Sequence, residues 1–371
     1  MSQQKQTSPF DPNEFAEWML EGLKETLRYR VRQTLDRDRW VEALRSRIPN
    51  RNQVLHFALR QAFERADFRF EELKQGDASF YVIRKTLREP VAGQGCRRLV
   101  FVPGLGDSPG SWLPFFTLSK ADLTRRFDEV LVIDFPGYMG FLSHQEMVSS
   151  MDILLGVVRM VCELYPPEVL MGHSLGAWLA GKIAQDSKHL MEQFIAVAPS
   201  GLIAHEERGV FGDFIVKNQS LTLEELLELI VHDPKKFGPL LNRDFKVFYE
   251  QPSIRSFVES VRDEHFIDSN RPLMARKLSV IWGDADRFVP THWMRNWIES
   301  YGEFLDAYLL KKTGHIPQME RPLVTARVVA HALNGGSGDE GFGWSRIQAR
   351  RSEFNGARDP VNPSETIRRL S

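Results

Sequence analysis

The sequence predicts an α/β protein built on a mostly parallel sheet with helices on both faces, and three observations predict it. Short, continuously apolar segments alternate with longer helical patterns between residues 99 and 310, and strands apolar along their whole length belong to parallel sheets covered on both sides. One of these segments, Val169-Leu170-Met171, runs into Gly172-His173-Ser174-Leu175-Gly176 and then into small and apolar residues at helical spacing. Between residues 201 and 271 the alternation stops and the pattern turns helical throughout.

Residues 1–64 read as a helical N-terminal extension: Phe15, Met19, Leu23, Leu27 and Val31 recur every four residues as one apolar stripe. Arg28, Arg30, Arg32, Arg37 and Arg39 make the segment locally basic, diluted by Glu21, Glu25, Asp36, Asp38 and Glu42. A basic amphipathic helix can lie on an anionic membrane; packing on its own domain or on a partner subunit is the favoured reading here. Residues 65–200 and 272–334 are the core. Its first two strands, 68–73 and 79–86, form a hairpin with a turn at Gly76-Asp77. Apolar strands follow at 99–102, 130–133, 169–171, 194–198, 278–282 and 305–310.

The interruption at 201–271 is about seventy residues, too long for a structureless loop. Thr222-x-x-Glu225 reads as a capping box that opens a helix over 223–231. Phe211, Phe214, Leu226, Leu227, Ile230, Phe237, Leu240, Leu241, Phe245 and Phe248 give the segment an apolar content that fits a helical cap. From Gly335 the composition becomes Gly-, Ser- and charge-rich, so 335–371 reads as a flexible tail.

Composition narrows the class. A formal net charge of −1 argues against a dedicated nucleic-acid binder. Two cysteines, Cys96 and Cys162, give neither a disulfide framework nor metal-ligand spacing. The first ten residues lack an apolar signal-peptide core, and there is no run of roughly 18 apolar residues for a spanning helix. A cytoplasmic protein is the expectation.

The chemistry begins at Ser174. In a G-x-S-x-G turn the chain passes from strand to helix within one tight bend, lifting the serine hydroxyl above the sheet, and glycines are needed where a Cβ would meet neighbouring backbone. A serine hydroxyl is a weak nucleophile, so it needs a base, and the base needs an orienting acid. Asp286 lies in Trp282-Gly283-Asp284-Ala285-Asp286-Arg287-Phe288-Val289-Pro290, after one strand; His315 lies in Lys312-Thr313-Gly314-His315-Ile316-Pro317, after the last. Asp284 is the rival acid. The chain order Ser174, Asp286, His315 matches one of the several folds that use such a triad.

These residues resemble the α/β-hydrolase superfamily over about residues 65–334. The resemblance rests on Val102-Pro103-Gly104-Leu105-Gly106-Asp107, Asp134-Phe135-Pro136-Gly137, Gly172-His173-Ser174-Leu175-Gly176, the Gly283-to-Pro290 stretch and Gly314-His315. It implies the α/β-hydrolase fold, a mostly parallel eight-stranded sheet with the 201–271 insertion as a cap over the site. It also implies Ser174 as nucleophile, His315 as general base and then acid, and Asp286 rather than Asp284 as orienter. The backbone N–H groups of Leu105 and Leu175 are the expected oxyanion donors. Two departures are visible. Pro103 stands where the family commonly has histidine, and Asp134-Phe135-Pro136-Gly137-Tyr138-Met139-Gly140 is spaced more loosely than in many relatives. His173 is expected to pack rather than react, and His144, His205, His232, His265 and His292 to hold surface or cap roles.

The expected activity is hydrolysis of a carboxylic ester through an acyl-enzyme, on a small acyl substrate with an apolar group, with no metal and no organic cofactor. Thioester, lactone, amide and carbon–carbon bond hydrolysis use the same triad, and a binding protein on a hydrolase scaffold is the alternative of another class. Dehalogenase and epoxide-hydrolase chemistry of the superfamily needs an aspartate where this chain has Ser174.

Overall fold

The computed structural model describes residues 60–93, 95–135, 150–209, 221–237, 251–334 and 343–347. The chain divides into two compact units, 1–66 and 67–371. Of the first, the described part is the end of a helix with an exposed Arg60–Glu64 ion pair; the rest of the expected N-terminal helical segment lies outside the described residues. Among the described residues no helix is long and apolar enough to cross a membrane.

The second unit enters its sheet through a hairpin. β1 (Arg69–Gln75) and β2 (Ala78–Thr86) pair antiparallel, with Gln75 opposite Ala78 and Gly76 turning between them at a φ of 59°. β2 then pairs antiparallel with β4 (Glu129–Asp134). From there the sheet is parallel through β3 (Arg98–Val102), β5 (Val169–His173), β6 (Met191–Val197), β7 (Ala275–Gly283) and β8 (Leu305–Leu310). β3, β4 and β5 are buried almost along their whole length, as their unbroken apolar sequences require.

Among the described residues the sheet has nine strands rather than the expected eight. β9 (Trp344–Ile347) pairs antiparallel with β8, within the stretch whose composition predicts a flexible tail. Trp344 explains the difference: fully buried, it packs its ring against Tyr308 at 5.5 Å and His331 at 4.8 Å. Gly343, at a φ of 94°, turns the chain into the strand while its carbonyl accepts from the Lys311 N–H. A strand of four residues carries too little periodicity to register against the polar background.

Strand order places the site. The sheet runs β1-β2-β4-β3-β5-β6-β7-β8-β9, so the chain leaves β3 towards one side and returns on the other at β5. Crevices at such a reversal open beyond the carboxyl ends of the strands and are where α/β proteins bind ligands. Pro103 and Gly104 follow β3 there, and Ser174 follows β5.

The opposite end of the sheet is held by charge. Asp128 accepts from Arg88 and Arg97, and the next residue, Glu129, from Arg84 and Arg98. Burial pushes the Glu129 carboxyl up, but the donors from Arg84, Arg98 and Cys96 more than offset it and leave it below the ordinary range. The pairs tie β2, β3 and β4 together at their shared ends.

The elbow glycines leave no room for a side chain. A Cβ on Gly176 would stand 2.1 Å from the Val102 carbonyl oxygen and 2.3 Å from that of Pro103; on Gly172 it would stand 2.5 Å from the Gly176 oxygen. Gly209 has open space around the same position. Gly176→Ala is therefore expected to lower the unfolding free energy by at least about 2 kcal/mol, because neither strand nor helix can retreat. Gly209→Ala, in a helical segment, should be neutral or stabilising by about 0.5–1 kcal/mol. Urea denaturation of the two variants checks this; equal midpoints would show that the elbow has room to spare.

Candidate active site

Ser174 sits between β5 and the helix Leu175–Asp186, with φ 52° and ψ −120°. A non-glycine residue rarely occupies that region, at a cost of order 1–3 kcal/mol. Its N–H donates to the Val197 carbonyl at the end of β6 at 2.9 Å, and its carbonyl accepts the first helical bonds from Ala177 and Trp178. The bent backbone is thus fixed on both sides of the residue.

The other two expected residues converge on it. His315 Nε2 lies 2.9 Å from Ser174 Oγ, and His315 Nδ1 lies 2.9 Å from Asp286 Oδ2. All three are buried, with 4–6% of each residue exposed. The carboxylate accepts the Nδ1 hydrogen, which leaves the Nε2 lone pair directed at the serine hydroxyl. Asp286 is itself fixed, since Oδ1 accepts from the N–H groups of Phe288 and Val289 at 3.0 and 2.9 Å. The His315 ring lies between those of Phe288 and His173, with centroids 5.0 and 5.1 Å away.

Asp284 is not brought to the site. It is exposed, and its carboxylate accepts from the Thr313 N–H at 3.2 Å, bracing the turn after β8. Of the two aspartates, Asp286 is the one within hydrogen-bond distance of the His315 ring. Gly283 allows the two turns to meet: a Cβ there would stand 2.2 Å from the Thr313 carbonyl oxygen.

The positions read as oxyanion donors flank the serine. Leu175 is the first residue of its helix, so its N–H has no acceptor within that helix. Leu105 follows Gly104, where an added Cβ would lie 3.0 Å from Ser174 Cβ. Replacing the family's histidine by Pro103 leaves this close approach intact. The loose loop after β4 lies outside the described residues from Pro136 to 149.

The inserted region contributes a brace that the sequence reading lacks. Thr222 and Glu225 make both bonds of the capping box, opening the helix Leu223–Ile230. At its other end the Leu229 carbonyl accepts from the Arg287 N–H at 3.2 Å, and the Ile230 carbonyl accepts from the His315 N–H at 2.6 Å. The last carbonyls of a helix need partners, and here the acid and histidine loops supply them. Leu226, Leu227, Leu229 and Ile230 are packed into the main apolar core. Phe211, Phe214, Leu240, Leu241, Phe245 and Phe248 lie outside the described residues.

Glu320 closes the same junction. Its carboxylate accepts from the Gly314 N–H at 2.8 Å and from the His232 N–H at 2.7 Å, joining the His315 loop to the end of the inserted helix. Burial pushes its carboxyl up to about 7, and the charge of Asp286 adds to the shift, while the backbone donors work against it. The only signal in the sequence is a glutamate five residues after His315, which no motif singles out. Of the histidines expected in surface or cap roles, His205 and His292 are exposed, whereas His265 is buried and bonded to Asp152 at 3.0 Å.

A family model described as "Alpha/beta hydrolase family" matches residues 99–328. No curated protein sequence matches the chain. Among solved structures, it is similar to a membrane phospholipase A described as a bacterial virulence factor, at 16% identity and a TM-score of 0.57 over 80% of this chain and 96% of that one. A lipase from Acinetobacter baumannii AYE, itself described as putative, aligns at 17% identity and a TM-score of 0.56, over 77% of this chain and 98% of that one. The 2-hydroxy-6-oxo-6-phenylhexa-2,4-dienoate hydrolase of Rhodococcus sp. strain RHA1 aligns at 15% identity and 0.54, over 72% and 98%. At these identities the likeness is one of fold.

Glu320 generates a pH dependence. A carboxyl raised in the folded state stabilises it fully below the ordinary value near 4.5, and that contribution is lost as pH rises through about 7. Glu320→Gln removes the ionisation, so the variant's Tm minus that of the native protein should rise by about 2–6 °C between pH 5 and pH 8. Thermal melts across that range check the sign; a pH-independent difference would contradict it.

Proposed function

The chain belongs to the alpha/beta hydrolase family, and on that premise we propose that it is a serine hydrolase that cleaves a carboxylic ester through an acyl-enzyme on Ser174. The observation that carries this reading is the unbroken chain of hydrogen bonds from Asp286 through His315 to Ser174, with both links at 2.9 Å. A chain that had kept the fold for binding alone would have no need of it.

The roles follow from the donors and acceptors. His315 Nε2 takes the Ser174 hydroxyl proton as Oγ bonds to the acyl carbon, and Asp286 stabilises the imidazolium so formed. The carbonyl oxygen becomes an oxyanion, for which the N–H groups of Leu105 and Leu175 are the proposed donors. His315 then gives its proton to the departing alkoxide as the carbon–oxygen bond breaks. Water, deprotonated by the same imidazole, attacks the acyl-enzyme, and collapse of the second tetrahedral intermediate frees the acid and restores the serine.

The same steps act on thioesters, lactones and carbon–carbon bonds beside a carbonyl, and the leaving group decides among them. The described apolar residues of the cap helix pack into the core. The expectation of an apolar substrate group therefore rests on the cap's residues outside the described set and on the fold likeness to a phospholipase and a lipase. A panel of short p-nitrophenyl esters, lysophospholipid, acyl thioester and lactone ranks these classes.

Ser174→Ala is expected to reduce hydrolysis of the best p-nitrophenyl ester by at least about 10,000-fold, and Asp286→Asn by about 1,000-fold or more. Asp284→Asn should stay within about threefold, since it touches only a turn. Initial rates on the purified variants check all three. Ester hydrolysis that survives Ser174→Ala would remove the serine from the mechanism, and a collapse in Asp284→Asn with Asp286→Asn intact would exchange the two acids.

A further inference from the structure

His173 precedes the nucleophile and is 2% exposed. Its Nε2 lies 2.8 Å from the backbone carbonyl oxygen of His315, and a carbonyl oxygen only accepts, so Nε2 carries a hydrogen. Its Nδ1 lies 3.1 Å from Asp107 Oδ2. The Asp107 carboxylate also accepts from the Ser111 hydroxyl and from the Trp112 indole N–H at 2.7 Å. The His173 ring is therefore held at both of its nitrogens.

We propose that His173, paired with Asp107, is a positioning residue that locks the His315 loop to the nucleophile elbow and to the loop after β3. This rests on reading Ser174, His315 and Asp286 as the reacting groups. One side chain joins three separate segments: its own turn, the loop carrying Leu105 two residues before Asp107, and the loop carrying His315. His315 is then held at both of its backbone polar atoms, the N–H by the Ile230 carbonyl and the C=O by His173. Gly104 makes the approach possible, since a Cβ there would lie 3.0 Å from His173 Nδ1. The Trp112 ring packs against that of His173, with centroids 5.5 Å apart. Misplacing a reacting group by 1 Å costs about 100-fold in rate, and the tether holds the serine–histidine separation against such drift.

Two amides separate the contacts. The amide nitrogen of Gln reaches the place of Nε2 and keeps the bond to the His315 carbonyl; that of Asn reaches the place of Nδ1 and keeps only Asp107. With a p-nitrophenyl ester, His173→Asn should lose about 100-fold in kcat with KM within about twofold. His173→Gln should stay within about tenfold of the native protein, the native kcat being approached only where the tether survives. Histidine ring nitrogen–hydrogen correlation spectra of the native protein should show a ring with hydrogen on Nε2 protected from solvent exchange, a signal that disappears in His173→Gln. Equal kcat in the two amide variants, or a change confined to KM, would overturn the positioning role, and a His173 ring without hydrogen on Nε2 would overturn the tether to the His315 carbonyl. If the variants do not fold, Asp107→Asn in place of them should shift the His173 ring resonances, and an unchanged ring counts against the pairing. A native protein that hydrolyses no ester would sink the proposed function instead, while the ring spectrum still decides the His173 tether.

Discussion

The helix Leu175–Asp186 begins so close to the end of β3 that a single methyl group at Gly176 would press into the carbonyl oxygens of Val102 and Pro103. The rest of the site depends on this contact. With the helix start pinned there and β5 pinned in the sheet, one residue must absorb the whole change of direction, and Ser174 does so at a backbone conformation unfavourable for any side chain but glycine. The strain is offset by the bond from its N–H to Val197 and by the helix bonds to its carbonyl. The hydroxyl is consequently held at the reversal point of the strand order, where the crevice between β3 and β5 opens.

The other groups come to the serine by the same logic. Asp286 and His315 follow β7 and β8, so the parallel sheet carries both side chains to one edge. What sheet geometry alone leaves loose, the inserted helix Leu223–Ile230 takes up: its terminal carbonyls are satisfied by Arg287 and His315, and Glu320 binds the end of that helix to Gly314. Along this junction the inserted helix braces the loops that carry Asp286 and His315.

Much of this was legible in the sequence, for reasons particular to each residue. Ser174 and His315 stand in short glycine motifs at the ends of apolar strands, where local pattern and tertiary position coincide. The resemblance favours Asp286 over Asp284, and of the two it is Asp286 that lies 2.9 Å from the His315 ring while Asp284 accepts from Thr313. The capping box at Thr222 and Glu225 acts through neighbours in sequence and so is readable there. Asp107, Glu320 and the functional side of His173 were not legible, because their meaning lies in partners 66, 88 and 142 residues away. β9 escaped for the opposite reason: four residues in a polar tail make no pattern, and only the buried Trp344 marks it.

The central claim is that backbone geometry and the His315–Asp286 pair together make Ser174 a reactive nucleophile. Labelling with a fluorophosphonate, followed by peptide mass spectrometry, tests it without knowledge of the substrate. The account predicts one phosphonylated residue, Ser174, with labelling strongly slowed in His315→Ala. Labelling absent from the folded native protein, or falling on another serine, would contradict it.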